Sequence, residues 1–479
     1  MRRRMRHSHA AAAHREGFGR GNVRDGKFAG RVIMSEAIDK RNGTYPQKQP
    51  GLYMQRIRIP GGRITAAQWR VLAAVTEAYC EGTPLHLTTR QDVELHDVPG
   101  DSVAAVRTQL EEADLHTVGA CGDTIRNITL CPTCDLKPAG VDLAAGVGAL
   151  HAYLISLPFY DALPRKFKIS FSVCGQACAQ PYVNDLGFML RTDGRFTVIG
   201  AGSLGPRPNL GIVLRERIEL DEVAPYCAAV LEFFAEHGDR NNRRKARLRH
   251  VRERMGDEAF VSAIEQRFAS WRNGGPFPVL AMHRTQRPLP FAERLCPPLG
   301  DLTAAQARDL ADVMDGQGLA CRLGLHQEIF LRGAQPIRPA PSLANLSGRP
   351  AVVCCPGSRS CPHGLVDTQG LARRILSSGW TGGLSDRCVH ISGCPNHCAH
   401  TAVARMGVSG RRRTVDGVTQ EAFELFLGGG EGCSEALSQR GPVIDAEQFL
   451  ERLEQWADSP NAAPRAPTQS VHPGRTNVT

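Results

Sequence analysis

The sequence predicts an α+β protein built by internal duplication, and three observations carry that reading. A strand–helix–strand pattern occurs twice, a pair of cysteine-bearing segments occurs twice, and the two kinds of unit alternate along the chain. The segment ITAAQWRVLAAV (64 to 75) returns as LTAAQARDLADV (302 to 313), and LTTRQDVEL (87 to 95) returns as LGLHQEIFL (323 to 331). VCGQACAQPYVNDLG (173 to 187) aligns with GCPNHCAHTAVARMG (393 to 407), which places Cys174 over Cys394, Cys178 over Cys398 and Gly187 over Gly407.

Residues 1–43 are basic, rich in Gly and Ala and without periodicity, and are expected to form a mobile or surface-wrapping arm. The first half-unit, 44–120, opens with alternating apolar residues in LYMQRIRI. Thr65 then starts a helix with Leu72, Val75 and Tyr79 on one face. LHLTTRQDVEL alternates again as a strand, and a second helix is expected from about Ser102. This order of elements is a ferredoxin-like half. Residues 121–275 mix strands and helices around cysteine turns. Residues 276–345 repeat the half-unit, and 346–458 repeat the cysteine-bearing unit, with Pro-rich joints at 276–298 and 335–350. From 459 the chain reads as a disordered tail.

At 479 residues the chain exceeds what one core usually serves, so several domains around a shared interior are expected. No apolar run is long enough to span a bilayer, and the N-terminus lacks a sustained apolar stretch, which favours a soluble cytoplasmic protein and excludes a membrane role. The 16 cysteines then argue for reduced thiols and metal ligation instead of disulfides. The net charge of +10 and the stretch RNNRRKARLRHVRER (240 to 254) raise nucleic-acid binding. With no interleaved aromatics, no nucleic-acid partner is expected, and a solvated helix is the reading of that stretch.

Cys355 and Cys361 in CCPGSRSC, with Cys394 and Cys398 in GCPNHC, supply two thiol pairs from separate turns. C-x5-C followed by C-x3-C suits an iron–sulfur cube better than a zinc ribbon, which favours C-x2-C on both sides. Cys354 reads as a neighbour of the site and not a ligand. Cys131 and Cys134 in LCPTC, with Cys174 and Cys178 in CGQAC, occupy the equivalent places in the first half. They admit a second iron–sulfur cluster, a zinc site, or a pseudo-site of buried thiols.

CPGSRSC followed by GCPNHCAH resembles the cluster motif of the sirohaem-dependent sulfite and nitrite reductases. YMQRIRIPGG (53 to 62), LTTRQ (87 to 91), RNIT (126 to 129) and LPRKFKI (163 to 169) resemble further segments of that family, in family order. The resemblance implies its duplicated fold of two ferredoxin-like halves and two cluster-type domains. It also implies sirohaem and a 4Fe-4S cluster, with Cys398 bridging the two. Arg58, Arg126, Lys166 and Lys168 stand where the family holds its substrate-binding cations. Alternation in KFK puts both lysines on one side of an extended segment and Phe167 on the other. Crowded cations should lower a lysine pKa and make Lys166 or Lys168 the proton donor. Thr89, Arg90, Gln91 and Asn127, with the repeat mates His326 and Gln327, are expected to serve the macrocycle and its carboxylates. The positive charge would then face sirohaem, an anionic substrate and an acidic donor.

The implied reaction is six-electron reduction of sulfite to sulfide. Nitrite reduction to ammonia needs the same groups. Precorrin-3B synthase, on a similar scaffold, and a non-catalytic sirohaem or iron–sulfur carrier are the other readings. No flavin or nicotinamide domain is evident, so a separate electron donor is expected, ferredoxin first and a flavoprotein second.

Overall fold

Two short strands are exchanged between the half-units, and this exchange organises the middle of the molecule. In the computed structural model, which describes residues 40–133, 140–173, 177–284, 289–379, 388–433 and 435–457, the first sheet runs Thr44–Pro46, Leu52–Arg58, Asp92–Pro99, Leu85–Leu87, Asp301–Leu302. The second runs Phe291–Leu295, Ile329–Gly333, Ala320–Leu323, Arg63–Ile64. Leu302 thus pairs with Leu85, and Ile64 pairs with Cys321.

Immediately after each exchanged strand comes a helix, Ala66–Tyr79 or Ala304–Gln317. Both begin with a capping box: Thr65 Oγ1 accepts from Gln68 N at 3.2 Å, and Thr303 Oγ1 from Gln306 N at 3.1 Å. Trp69, Leu72 and Ala73 from one helix share a buried core with Leu310, Ala311 and Met314 from the other. The half-units therefore close over one interior, because each helix can bury its apolar stripe only against its repeat mate.

LHLTTRQDVEL is not the single strand its alternation suggested. Leu85–Leu87 and Asp92–Pro99 pair antiparallel, and TTRQ forms the turn between them. Gln91 adopts φ +58°, and Thr88 Oγ1 accepts from the backbone N–H groups of Arg90 and Asp92 at 3.2 and 3.1 Å. A local side-chain acceptor has overridden the period-two pattern. The second predicted helix of this half spans Val103–Glu112, just after Ser102.

The cysteine-bearing units carry two five-stranded sheets of the same design. One runs Thr129–Leu130, Ile169–Ser172, Leu186–Leu190, Phe196–Gly200, Ile212–Ile218; the other Val352–Cys354, Val389–Ser392, Met406–Val415, Val418–Leu427, Gln439–Ile444. In each, the first three strands are parallel and the last two antiparallel. The repeat-matched glycines lie where side chains cannot fit. A Cβ at Gly187 would meet Pro181 Cβ at 2.5 Å, and one at Gly407 would meet the His390 carbonyl at 2.6 Å.

The basic stretch 240–254 departs from a solvated helix. It breaks into a short turn, Arg243–Lys245, and a helix, Leu248–Met255, whose Leu248, Arg249, His250 and Val251 are buried. Arg247, between them, pairs with the fully buried Asp185 at 2.6 Å. Among the described residues no helix is long and apolar enough to cross a membrane.

Candidate cluster and anion site

Each cysteine turn leaves the C-terminal end of a parallel strand, which delivers the thiols of adjacent strands to one edge of the sheet. Cys355 follows Val352–Cys354, and Cys394 and Cys398 follow Val389–Ser392. The Gly393 N–H donates to Cys355 Sγ at 3.2 Å. Burial is the largest force raising the Cys355, Cys361 and Cys394 pKa values, Cys394 to about 11, and Cys398 pushes all three the same way. The four sulfurs therefore share one neighbourhood, with backbone dipoles aimed at them. Among the described residues no three His, Cys, Asp or Glu side chains gather tightly enough for a single metal ion. A four-iron cube takes one thiolate for each iron, which is the number of cysteines these turns supply. Cys398 is the exposed member of the set. Cys354 stays in its strand, fully buried, with its backbone clamped by Gln327.

Two glutamines assigned to the cofactor by sequence instead fasten the fold. Gln91 accepts from Leu130 N at 2.8 Å and donates to the carbonyls of Leu130 and Leu323 at 2.9 and 2.7 Å. Gln327 mirrors it: it accepts from Cys354 N at 3.0 Å and donates to the carbonyls of Cys354 and Leu87 at 2.8 and 3.0 Å. Both amides are spent on backbone that would otherwise be buried unpaired, so neither is left for a carboxylate. Gln327→Leu should cost about 2–4 kcal/mol in denaturant unfolding, since it strands a buried N–H and carbonyls. Asn127 Nδ2 likewise donates to the carbonyls of Ile59 and Arg90, both at 3.0 Å. Thr89 Oγ1 donates to the Cys398 carbonyl at 2.8 Å, tying the TTRQ turn to the cluster turn.

Arg90, beside Thr89, opens a nest of cations. Its guanidinium donates to Asn184 Oδ1 at 3.0 Å and to the Asn127 carbonyl at 2.6 Å. Arg126 is held by the Ala120 and Gly122 carbonyls at 2.7 and 2.9 Å. Arg58 Nη1 faces the His151 ring nitrogens at 2.5 and 2.7 Å. In all three arginines Nε is buried with no partner. Lys166 and Lys168 are half-buried while Phe167 is fully buried, as alternation predicted. Burial, then Arg126, lowers Lys166 to about 7; burial, then Arg90 and Lys166, holds Lys168 well below the ordinary ammonium range. Arg247 belongs to the same nest, since its charge depresses both lysines. Sequence reasoning missed it because nothing local marked that stretch as buried.

His326 Nε2 is buried without a partner, its ring 5.6 Å from that of His390 in an edge-to-face contact. His390 Nε2 and His400 Nδ1 are also buried and unpartnered. Burial, then Lys168, drives the His400 pKa far down, which places these imidazoles beside the cation nest. Of the three, His326 was expected from the LHQ repeat mate and His400 stands in GCPNHCAH, while nothing in the sequence singled out His390.

Of the first-half cysteines, Cys134 and Cys174 lie outside the described residues. Cys131 and Cys178 meet with their sulfurs 2.7 Å apart. That is closer than two corners of a cube allow, so this placement does not support the second cluster.

Comparison with known proteins agrees with the duplicated fold. A model described as nitrite/sulfite reductase ferredoxin-like half domain matches residues 45–113, and one described as nitrite and sulphite reductase 4Fe-4S domain matches residues 121–270. The chain carries two domains of the nitrite and sulfite reductase family. It is an oxidoreductase with that family's duplicated fold. The chloroplastic ferredoxin–nitrite reductase of Oryza sativa is 28% identical, over 81% of this chain and 71% of the relative. A ferredoxin–nitrite reductase of Synechococcus elongatus is 29% identical over 82% of each chain. The hemoprotein beta-component of an NADPH sulfite reductase from Acidithiobacillus ferrooxidans is 27% identical, over 89% of this chain and 85% of the relative. The solved structure of the Mycobacterium tuberculosis NirA protein superposes with a TM-score of 0.73 at 22% identity, covering 87% of this chain and 85% of that one.

Proposed function

We propose that this reductase carries out six-electron reduction of a small oxyanion, nitrite to ammonia or sulfite to sulfide, with electrons from ferredoxin. The hydrogen bond from Thr89 to the Cys398 carbonyl carries the reading, because it makes the cation nest and a cluster turn two sides of one site. The sequence alone leaned towards sulfite. The relatives named above include ferredoxin–nitrite reductases and one sulfite reductase, and nitrite fits the site equally well.

Sirohaem, when bound, supplies the iron that takes the anion and passes it electrons. The unpartnered Nε atoms of Arg58, Arg90 and Arg126 and the buried imidazoles of His326, His390 and His400 suit a ligand rich in carboxylates, and we assign them to holding it. Cys398, exposed where its three fellow ligands are more enclosed, would join cluster and macrocycle. Cys355, Cys361, Cys394 and Cys398 hold the single cluster we assign. Arg58, Arg126, Lys166 and Lys168 bind the anion, replacing lost water with fixed charge. Either lysine, its ammonium weakened by burial, donates protons as oxygen departs. The intact cation nest favours reduction over precorrin oxygenation or electron carriage.

Lys166 is charged below about pH 7 and loses its proton above it, so kcat/KM should fall by about tenfold per unit on the alkaline side. Lys166→Met should make that limb shallower by the Lys166 contribution, which a pH–rate profile with nitrite would show. The defining experiment is an anaerobic assay of the reconstituted protein with reduced methyl viologen, nitrite and sulfite offered separately, and ammonia and sulfide measured. Turnover of neither by protein with full cofactor content would reject the proposal.

A further inference from the structure

Strand pairing places a carboxyl inside the cation nest. Leu52–Arg58 and Asp92–Pro99 run antiparallel with Arg56 opposite Glu94 and Arg58 opposite Asp92. Cross-strand partners two residues apart share one face, so the two acid–base pairs stand side by side. Arg56 and Glu94 form an ion pair at 2.5 Å. Arg58 turns to His151 instead, and Asp92, only 5% exposed, is left with Oδ1 buried and unpartnered. The other acid beside the nest, Asp185, is satisfied by Lys168 N at 2.8 Å and Arg247 at 2.6 Å.

The geometry points to Asp92 as a proton-coupled control of anion affinity: the nest takes up a proton on this carboxyl when it takes up its anion. Ionised, Asp92 puts a negative charge beside the incoming oxyanion and leaves a buried carboxylate oxygen without a donor, and both are unfavourable. Protonated, it removes the repulsion and leaves a proton next to an anion whose reduction consumes protons. The charged groups facing Asp92 are Arg56 and Arg58 from the adjacent strand, Arg90 from the turn, Glu94 from its own strand, and Arg126 with Cys121 from the segment before Thr129. Burial outweighs the arginines and raises the carboxyl to about 6, so the exchange falls within the working range.

The inference rests on the anion-reducing reading above, and nitrite is the probe because its own protonation lies far below the range tested. Nitrite binding to the holoenzyme would be followed by spectral titration from about pH 5.5 to 8, and by calorimetry in buffers of different ionisation enthalpy, which counts protons. Wild type should bind more weakly as pH rises. Asp92→Asn should bind nitrite at pH 8 on the order of ten- to a hundredfold more tightly than wild type and take up about one proton fewer. Lys166 contributes a separate slope present in both. Asp92→Glu, which restores a carboxyl, should restore the proton. An unchanged proton count and slope in Asp92→Asn, with its cluster absorption intact, would overturn this inference alone. Failure of wild-type holoenzyme to bind either nitrite or sulfite would overturn the functional reading and this inference with it.

Discussion

Cys398→Ser is expected to abolish turnover of nitrite and sulfite and to strip or uncouple the iron–sulfur centre. Oxygen from serine is a harder and weaker ligand for cluster iron than thiolate. Cys398 also occupies a particular place: its carbonyl is held by Thr89 at 2.8 Å, its thiol is exposed, and its charge acts on Cys355, Cys361 and Cys394. Loss of even a supporting residue around a metal typically costs about ten- to a hundredfold, so removing a ligand should cost more than about a hundredfold in activity. Iron and sulfide content, with the reduced-state magnetic resonance spectrum, would check the cluster directly. Full iron content and normal turnover would take Cys398 out of the site.

Lys168→Met should lower kcat by about 10²- to 10⁴-fold, the usual contribution of a positioned proton donor, while leaving iron content and the visible spectrum unchanged. Methionine keeps the length and apolar body of the side chain and removes only the ammonium. Burial, Arg90 and Lys166 all press Lys168 towards its neutral form, so its proton is loosely held and close to the other cations. Steady-state rates with reduced methyl viologen would decide the matter. Unchanged kcat would leave Lys168 as a structural cation, with Lys166 as the donor.

The cysteine spacing, the cations of RIRIPGG, RNIT and PRKFK, and the duplication were legible in the chain because each is a local pattern. Period-two and period-3.6 alternation and a threonine three residues before a glutamine act over a few residues, and the structure keeps them. The capping boxes at Thr65 and Thr303 and the buried Phe167 between two half-buried lysines are examples.

Other features depended on what lies across space. TTRQ reads as strand, yet the Thr88 hydroxyl and the left-handed Gln91 turn it into a hairpin. Gln91, Gln327 and Asn127 read as donors to a cofactor, but their amides meet the backbone of distant elements first, and a buried backbone group takes any partner in reach. Arg247 looked like surface charge until Asp185 was found beneath it. The chain thus determined by itself which chemical groups the site has and on which kind of element each sits. The tertiary structure decided which of those groups remain free to act, because a side chain's free hydrogen bonds are only those that long-range packing has not already used.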